Sequence, residues 1–358
     1  MESAERMTTL EVRRDDPAVA RLLEEPLPEP ADGEALLRVE RFGLSANNIT
    51  YAALGDQLGY WRFFPTVEGW GRIPAWGFAT VVAGHAAALP LGARVFGYVP
   101  MATHLVLRPE GGKGGIVDTS PHRADLPKAY NTYLDPATDR AHAVAPEDAV
   151  MLLRPLFSLS FLLDDALGEH DATLLVTSAS SKTSLGLARL QADRGVPVVG
   201  LTSERHRTFV EGIGVYEQVV SYNALETLPV PPAATLVDVA GSAAVRRVVH
   251  ERLGGALARS ILVGATHRDA AALADTAPLP GPAPAFFFAP DQLRARIREW
   301  GPAGFDARFA EAFAVLVGWS EEWLERRPVE GPAAALAAYR EVAAGAAPPD
   351  AGYVVKLR

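Results

Sequence analysis

One stretch constrains this chain more than any other: Leu174-Leu175-Val176-Thr177-Ser178-Ala179-Ser180-Ser181-Lys182-Thr183-Ser184-Leu185-Gly186-Leu187-Ala188. It reads as a buried strand, a tight polar turn and the opening of a helix. A doubly wound α/β domain begins its nucleotide site in this way. Glycines usually make such a turn, because they permit the bend and let backbone amides approach a pyrophosphate. Here serines and a lysine stand instead.

The surrounding pattern supports that frame. Thr173–Thr177 predicts a strand, Leu185–Arg194 a helix, Val196–Leu201 a strand, His206–Ile213 a short helix and Gln218–Val220 a strand. Thr235–Ala240 continues as a strand, Ser242–Leu253 as a helix and Ser260–Gly264 as a strand. This alternation implies a parallel sheet with helices on both faces. Ahead of it, Ala149–Leu167 is apolar at helical spacing, and Pro155 is expected to kink or interrupt that helix.

The first part of the chain reads differently. Ala35–Ser45 alternates apolar and polar residues, a half-buried strand. Trp76–Gly84, Pro90–Tyr98 and Thr103–Leu107 supply further short strands between Gly/Pro turns, and predict a small, partly closed β-barrel. Gly111–Ala145 is polar, Gly/Pro-rich and long, as functional or flexible loops are. After a Pro-rich connection at Thr276–Pro284 come two predicted helices, Asp291–Glu299 and Asp306–Arg326. An amphipathic helix, Gly331–Ala344, then leads to a closing strand, Gly352–Leu357.

Bulk properties exclude several function classes. A net charge of −9 and a pI near 5.5 argue against a general nucleic-acid binder. No apolar run reaches the length of a membrane span, and Met1–Asp16 lacks the apolar core of a signal peptide. A cytoplasmic location follows by default. With no cysteine among 358 residues, disulfides, thiolate zinc sites and cysteine nucleophiles are all absent.

The order of segments resembles the medium-chain dehydrogenase/reductase superfamily, and within it the zinc-free quinone-oxidoreductase branch. Gly92-Ala93-Arg94-Val95-Phe96-Gly97 is similar to that family's "GdrVfg" turn, and Pro74–Val82 sits where it writes "G.E.aG.V". Leu174–Ala188 is similar to "vlVhGAsGGVGlaa", and Val237-Asp238-Val239-Ala240-Gly241-Ser242 to "fDnvGg". Pro332–Leu357 is similar to the closing helix and strand. The chain also resembles a divergent subgroup, the bacterial and fungal relatives filed as a domain of unknown function, which shares the Ser-rich turn with lysine. The resemblance implies a GroES-like lobe, residues 1–148 and 285–358, and a Rossmann-type dinucleotide-binding domain, 149–284. It implies a cleft between them that holds the site.

Against the family turn, Ser178, Ser181, Lys182 and Ser184 stand where glycine is usual. Either Ser178, Ser180, Ser181, Lys182 and Thr183 rebuild a phosphate cradle from side chains, or they fill it and cofactor is lost. At the next strand end no acid marks the tip, and Thr202, Ser203, Arg205 and Arg207 are suited to a 2′-phosphate. NADPH is therefore favoured over NADH if a dinucleotide binds. The other reading is that Ser203-Glu204-Arg205 caps a solvated helix. Gly241 and Gly264, at the ends of later strands, complete the expected cofactor set.

For chemistry, Ser45–Tyr51 occupies the place of the family's "vNp.D...r.G" segment, so Asn47, Asn48 and Tyr51 are the catalytic candidates. An amide can hold a carbonyl, and a phenol can protonate an enolate. The plainer alternative is a capping asparagine and a packed tyrosine. Tyr60 and Trp61, then Tyr130 and Asn131, are candidates for the walls of a substrate pocket, with Arg154 for a carboxylate or phosphate. Core aromatics and a surface ion pair are the alternatives. The eight histidines show no paired ligand spacing, and no catalytic metal is expected.

Two readings follow. One is a zinc-independent NADPH-dependent reductase of an activated C=C, a quinone or an enoyl-type small molecule. The other is a reductase-like protein that has lost hydride transfer and serves as a small-molecule binder or a cofactor-independent biosynthetic enzyme. The family likeness implies a homodimer; no nucleic-acid or membrane partner is expected.

Overall fold

The computed structural model describes residues 5–112, 115–263 and 278–358. The chain divides into two compact units, Met1–Leu152 with Leu324–Arg358, and Leu153–Trp323.

The first unit opens with β1 (Arg6–Arg13), a strand the charged N-terminus did not suggest, paired antiparallel with β2 (Ala20–Pro26). Leu10 and Val12 are buried on one face and Met7, Thr9 and Glu11 on the other, so the strand is covered on both sides. β3 (Ala35–Leu44) leads into α1 (Ala46–Ala53). β4 (Trp70–Gly71), β5 (Pro74–Gly84), β6 (Arg94–Pro100) and β7 (His104–Leu107) follow. β3 pairs antiparallel with β5 and with β7, and β5 with β6.

The stretch expected to be one long loop is instead built on a buried ion pair. β8 (Pro109–Gly112), β9 (Gly115–Asp118) and β10 (Thr132–Tyr133) form a three-stranded sheet. Short helices α2 (Lys128–Asn131) and α3 (Arg140–Ala143) lie in the same stretch. Arg123 sits 3.0 Å from the Asp118 carboxylate, donates to the Phe63 carbonyl (3.1 Å) and donates to the Tyr133 hydroxyl (3.0 Å). Both charges are buried, so they are tolerable only with this full set of partners, and the set orders the segment.

α4 (Glu147–Leu167) runs through Pro155 without interruption. Proline brings no N–H for the Met151 carbonyl, so that oxygen loses its usual helical partner. The carbonyl packs against Gly43, where an added Cβ would come within 3.0 Å of it. A glycine on β3 thus makes room for a helix that carries proline.

Among the described residues, the second unit holds a sheet of six parallel strands. They are β11 (Thr173–Val176), β12 (Val198–Thr202), β13 (Gln218–Ser221), β14 (Ala234–Asp238), β15 (Leu257–Leu262) and β16 (Ala285–Phe286). Their order across the sheet is β13-β12-β11-β14-β15-β16, the order of a doubly wound dinucleotide-binding domain. α5 (Lys182–Asp193), α6 (Arg207–Gly212) and α7 (Ala243–Leu253) alternate with the strands. Gly264 and His267 lie outside the described residues.

The second compact unit runs on to Trp323, and the first resumes at Leu324, later than the residue 285 expected for the lobe. α8 (Ala289–Ser320), bent at Gly301 and Pro302, joins the predicted pair of helices. Its Phe309 and Phe313 stack edge-on against Phe161 and Phe157 of α4, which keeps it in the second unit. The first unit resumes with β17 (Glu325–Glu330), where helix was expected to Arg326, then α9 (Pro332–Ala343) and β18 (Ala351–Lys356). β18 pairs antiparallel with β3 and closes the sheet order β17-β18-β3-β5-β6.

Candidate active site

In the second unit the strand order reverses between β11 and β14, and ligands of open α/β sheets bind outside the strand ends at such a point. The chain leaves β11 through Ser178, whose φ of 52° is the one positive value at a non-glycine residue among those described. That conformation costs a side-chain-bearing residue about 1–2 kcal/mol. Two tyrosines hold the bend. The Ser178 N–H donates to the Tyr222 hydroxyl (2.7 Å), and the Tyr216 hydroxyl donates to the Ala179 carbonyl (2.8 Å). The Tyr216 ring lies over Gly200, where a Cβ would meet it at 2.9 Å.

The first turn of α5 is built from hydroxyls. Ser181 is its N-cap, accepting from the Ser184 N–H at 3.2 Å. The Ser181 hydroxyl also donates to that of Ser184 (2.9 Å), which donates to the Thr177 carbonyl (3.0 Å). Ser184 therefore replaces glycine at a close helix–strand contact by satisfying a buried carbonyl. Lys182 and Thr183, buried, open the helix, and its first turn holds no acidic residue. Ser180 Oγ lies 3.0 Å from His206 Nδ1, while His206 Nε2 is buried without a hydrogen-bond partner. Burial, aided by the Arg205 charge, holds the His206 imidazole below its ordinary pKa.

Across the switch point, Asp238 at the end of β14 is saturated. Its Oδ1 accepts from the Thr177 hydroxyl (2.8 Å) and the Gly241 N–H (3.0 Å), and its Oδ2 from Arg246 (2.9 Å). The Ala240 N–H donates back to Thr177 Oγ1 (2.9 Å). This network ties the two strand ends together, and Gly241 has the positive φ its turn requires.

These residues fit the pyrophosphate of a dinucleotide in kind. Hydroxyls and a helix N-terminus that opens with Lys182 lie together, the neighbouring carboxylate is already neutralised, and an imidazole nitrogen has no hydrogen-bond partner. The fit differs from that of a glycine turn in one respect. The N–H groups of Ser178 and Ser184 are engaged within the protein, so side chains would carry more of the binding.

Of the remaining cofactor candidates, Thr202 is buried at the end of β12 and Ser203 caps the next turn. Arg205 is exposed on that turn. Arg207 pairs with Glu211 at 2.8 Å and with Glu204 at 4.0 Å, so its charge serves its own helix.

The first unit gathers the other candidates around aromatic rings. Tyr51 on α1, Tyr60, Trp76 on β5, Tyr98 on β6 and Tyr130 on α2 form one cluster. Trp76 and Tyr98 face each other across β5 and β6, with ring centroids 5.2 Å apart. Tyr51 lies 4.8 Å from Tyr60, and Tyr98 stacks on Tyr130 at 4.8 Å. Trp76 Nε1 donates to the Tyr51 hydroxyl (3.2 Å), which the Asn47 amide also contacts. The Tyr60 and Tyr130 hydroxyls lie 3.5 Å apart. Burial pushes all four phenols above their ordinary pKa, so each keeps its proton at neutral pH.

The other candidates stand elsewhere. Asn48 is consumed as a cap: its Oδ1 accepts from the Ser45 N–H (2.9 Å), and its Nδ2 donates to the Pro74 carbonyl (3.0 Å). Trp61 is buried with its indole nitrogen unpartnered. Asn131 donates to the Arg123 carbonyl (3.1 Å) and supports the ordered segment. Arg154, in the second unit, lies over the Phe309 ring at 5.8 Å. Sequence reasoning missed Tyr98, His206, Tyr216 and Tyr222. Only Tyr98 carried a local signal, its place in an alternating strand; the others act through tertiary contact. Among the described residues, no group of three or more His, Cys, Asp or Glu side chains is placed to hold a metal ion.

A model of the family described as "protein of unknown function (DUF2855)" matches residues 42–348. The chain belongs to that family. No curated protein matches it. Solved structures match along its length. The quinone oxidoreductase from Coxiella burnetii is 14% identical, with a TM-score of 0.60 over 99% of this chain and 100% of that one. CurA in complex with NADPH from Vibrio vulnificus is 16% identical, with a TM-score of 0.61 over 99% of each chain. Mycobacterial Rv1454c complexed with NADPH is 18% identical, with a TM-score of 0.51 over 98% of this chain and 99% of that one. At these identities the likeness is one of fold alone.

Proposed function

We propose that this protein is a zinc-independent, NADPH-dependent reductase of a small molecule with an activated C=C, a quinone or an enoyl group. The observation that carries this reading is the β11–α5 turn. It sets Ser180, Lys182 and Thr183 at a helix N-terminus beside a switch point, with no acid in the first helical turn. That is the chemistry of a pyrophosphate site. Fold neighbours named for quinone oxidoreduction and for NADPH complexes support it.

When bound, the dinucleotide supplies the hydride. The protein's own share is binding and orientation. Ser180 and Lys182 hold phosphate oxygens. Asn47 and Trp76 fix the Tyr51 hydroxyl, which retains its proton and offers it to a substrate oxygen. An absence of cysteine removes the thiolate on which a Cys-His-acid zinc site depends.

Titration of the purified protein with NADPH, followed by nicotinamide fluorescence and thermal melting, tests the reading. Ligand at a hundredfold excess over Kd stabilises by about 2.7 kcal/mol through mass action. No response to millimolar NADPH or NADH sinks it. One observation favours the second reading, a reductase-like binder without hydride transfer. The Ser178 and Ser184 N–H groups are already occupied by Tyr222 and Ser181.

A further inference from the structure

We propose that His206, paired with Ser180, is the specificity-determining residue that reads the 2′-phosphate of the dinucleotide; this rests on the NADPH reading above. In doubly wound domains, the tip of the second strand decides between cofactors. A carboxylate there takes the ribose hydroxyls, and a cation takes the 2′-phosphate. Here the second strand is β12, which ends at Thr202. His206 lies just beyond it and reaches the phosphate turn through the 3.0 Å contact of its Nδ1 with Ser180 Oγ. One atom pair thus joins the adenosine end of the site to the pyrophosphate end.

The neighbouring cations are less suited. Arg207 is held by Glu211 and Glu204. Arg205 is exposed on the turn. His206 is half-buried, and its Nε2 faces no acceptor within the protein. A buried N–H or lone pair without a partner carries a desolvation cost that a ligand oxygen removes. The charged groups on the elements around it are Glu204 and Arg205 on its own turn, Arg207 and Glu211 on α6, and Lys182 on α5. Of these, Arg205 acts on its titration, in the direction that disfavours the imidazolium, as burial does. The imidazole therefore lacks a counter-anion, and a phosphate dianion supplies one. Binding of NADPH then draws a proton onto His206, whereas NADH, with hydroxyls at that place, does not.

The test compares NADPH and NADH by calorimetric titration of the full chain, between about pH 5.5 and 8. In wild type, NADPH affinity falls as pH rises, more steeply than NADH affinity. Titrations in buffers of different ionisation enthalpy show proton uptake with NADPH and less with NADH. His206→Gln weakens NADPH by about tenfold, the scale of one charge-assisted hydrogen bond, and removes the extra pH dependence. It changes NADH by less than about twofold. Ser180→Ala weakens NADPH less than His206→Gln does.

Equal losses for both nucleotides in His206→Gln, or parallel pH profiles in wild type, overturn the inference and leave the NADPH reading intact. Tighter binding of NADH than NADPH also overturns it, and assigns the tip to Glu204. Failure of wild type to bind either nucleotide overturns both. The wild-type proton-uptake measurement, made at about pH 7.5 to 8 where the free 2′-phosphate is already a dianion and releases no proton of its own, decides the matter even where the variants do not fold.

Discussion

Two clusters of polar side chains in this protein meet their hydrogen-bonding needs in opposite ways. In the Ser178–Ser184 turn each described serine hydroxyl of the first helical turn has a partner inside the turn or on an adjoining strand. Asp238 opposite is saturated too. Among the aromatics of the first unit, the indole nitrogen of Trp61 is fully buried without a hydrogen-bond partner. The contrast teaches where each cluster is rigid. A saturated network holds one geometry, as suits a site that receives a fixed anion. An unsatisfied buried donor marks demand left for a water or a ligand oxygen.

The comparison breaks most visibly at Arg246. Arg246→Ala leaves Asp238 buried with an uncompensated charge, and is expected to destabilise by about 3–5 kcal/mol. Urea denaturation measures this. A loss under about 1 kcal/mol would mean that Thr177 and Gly241 alone satisfy the carboxylate, and that the strand ends do not depend on the ion pair.

A paired substitution sharpens the other side. The Tyr133 hydroxyl donates to the Tyr98 carbonyl (2.6 Å) and accepts from Arg123 (3.0 Å), while the Tyr98 hydroxyl meets that of Tyr51. Tyr133→Phe is expected to cost about 1–3 kcal/mol because it strands a buried guanidinium donor. Tyr98→Phe strands no charged group and is expected to cost less, about 1 kcal/mol or under. Equal costs in equilibrium unfolding would show that the contact between the two phenols matters as much as the one to the guanidinium, and would remove the contrast.

The fold was largely legible because its signals are local. Strand–helix alternation from Thr173 onward places β11 to β15 close to where the chain forms them. Ser180, Lys182 and Tyr51 were legible as candidates because position along the chain alone puts them on the turn after β11, at the start of α5 and on α1. The contacts of His206 and Tyr222 were not legible, since each reaches Ser180 or Ser178 across the strand ends. At Asn48 the sequence left two readings open, because a capping box and a carbonyl-binding amide demand the same side chain, and the structure shows the capping contact. The segment from Gly111 to Ala145 misled for a different reason. Its order comes from Arg123 and Asp118, and loop composition gives no sign that such a pair is buried.

A pH measurement probes a region outside both clusters. Glu147 at the start of α4 is held by Arg94 and Arg41, which lower its pKa to about 2 from the usual 4.5. A depressed carboxylate contributes stability above its unfolded pKa and loses it as pH falls through the folded value. Stability should therefore decline between about pH 4.5 and 2, by an amount reduced because the pair is partly exposed. Glu147→Gln should flatten that part of the profile. An unchanged slope would assign acid sensitivity to other carboxylates.

The smallest expected effect is at Ser178, and it tests whether the turn is set by its side chains or by its frame. Serine at φ 52° bears a cost of about 1–2 kcal/mol that glycine does not, while glycine loses about 0.5–1 kcal/mol through the freedom of the unfolded chain. The hydrogen bond to Tyr222 comes from the backbone N–H and survives the change. Ser178→Gly should therefore stabilise by up to about 1 kcal/mol in urea denaturation and leave NADPH binding unchanged or stronger. A loss of stability would mean that the Ser178 hydroxyl contributes more than its backbone strain costs. The turn would then owe its shape to the serines themselves, and restoring the glycine of a common dinucleotide fold would weaken it.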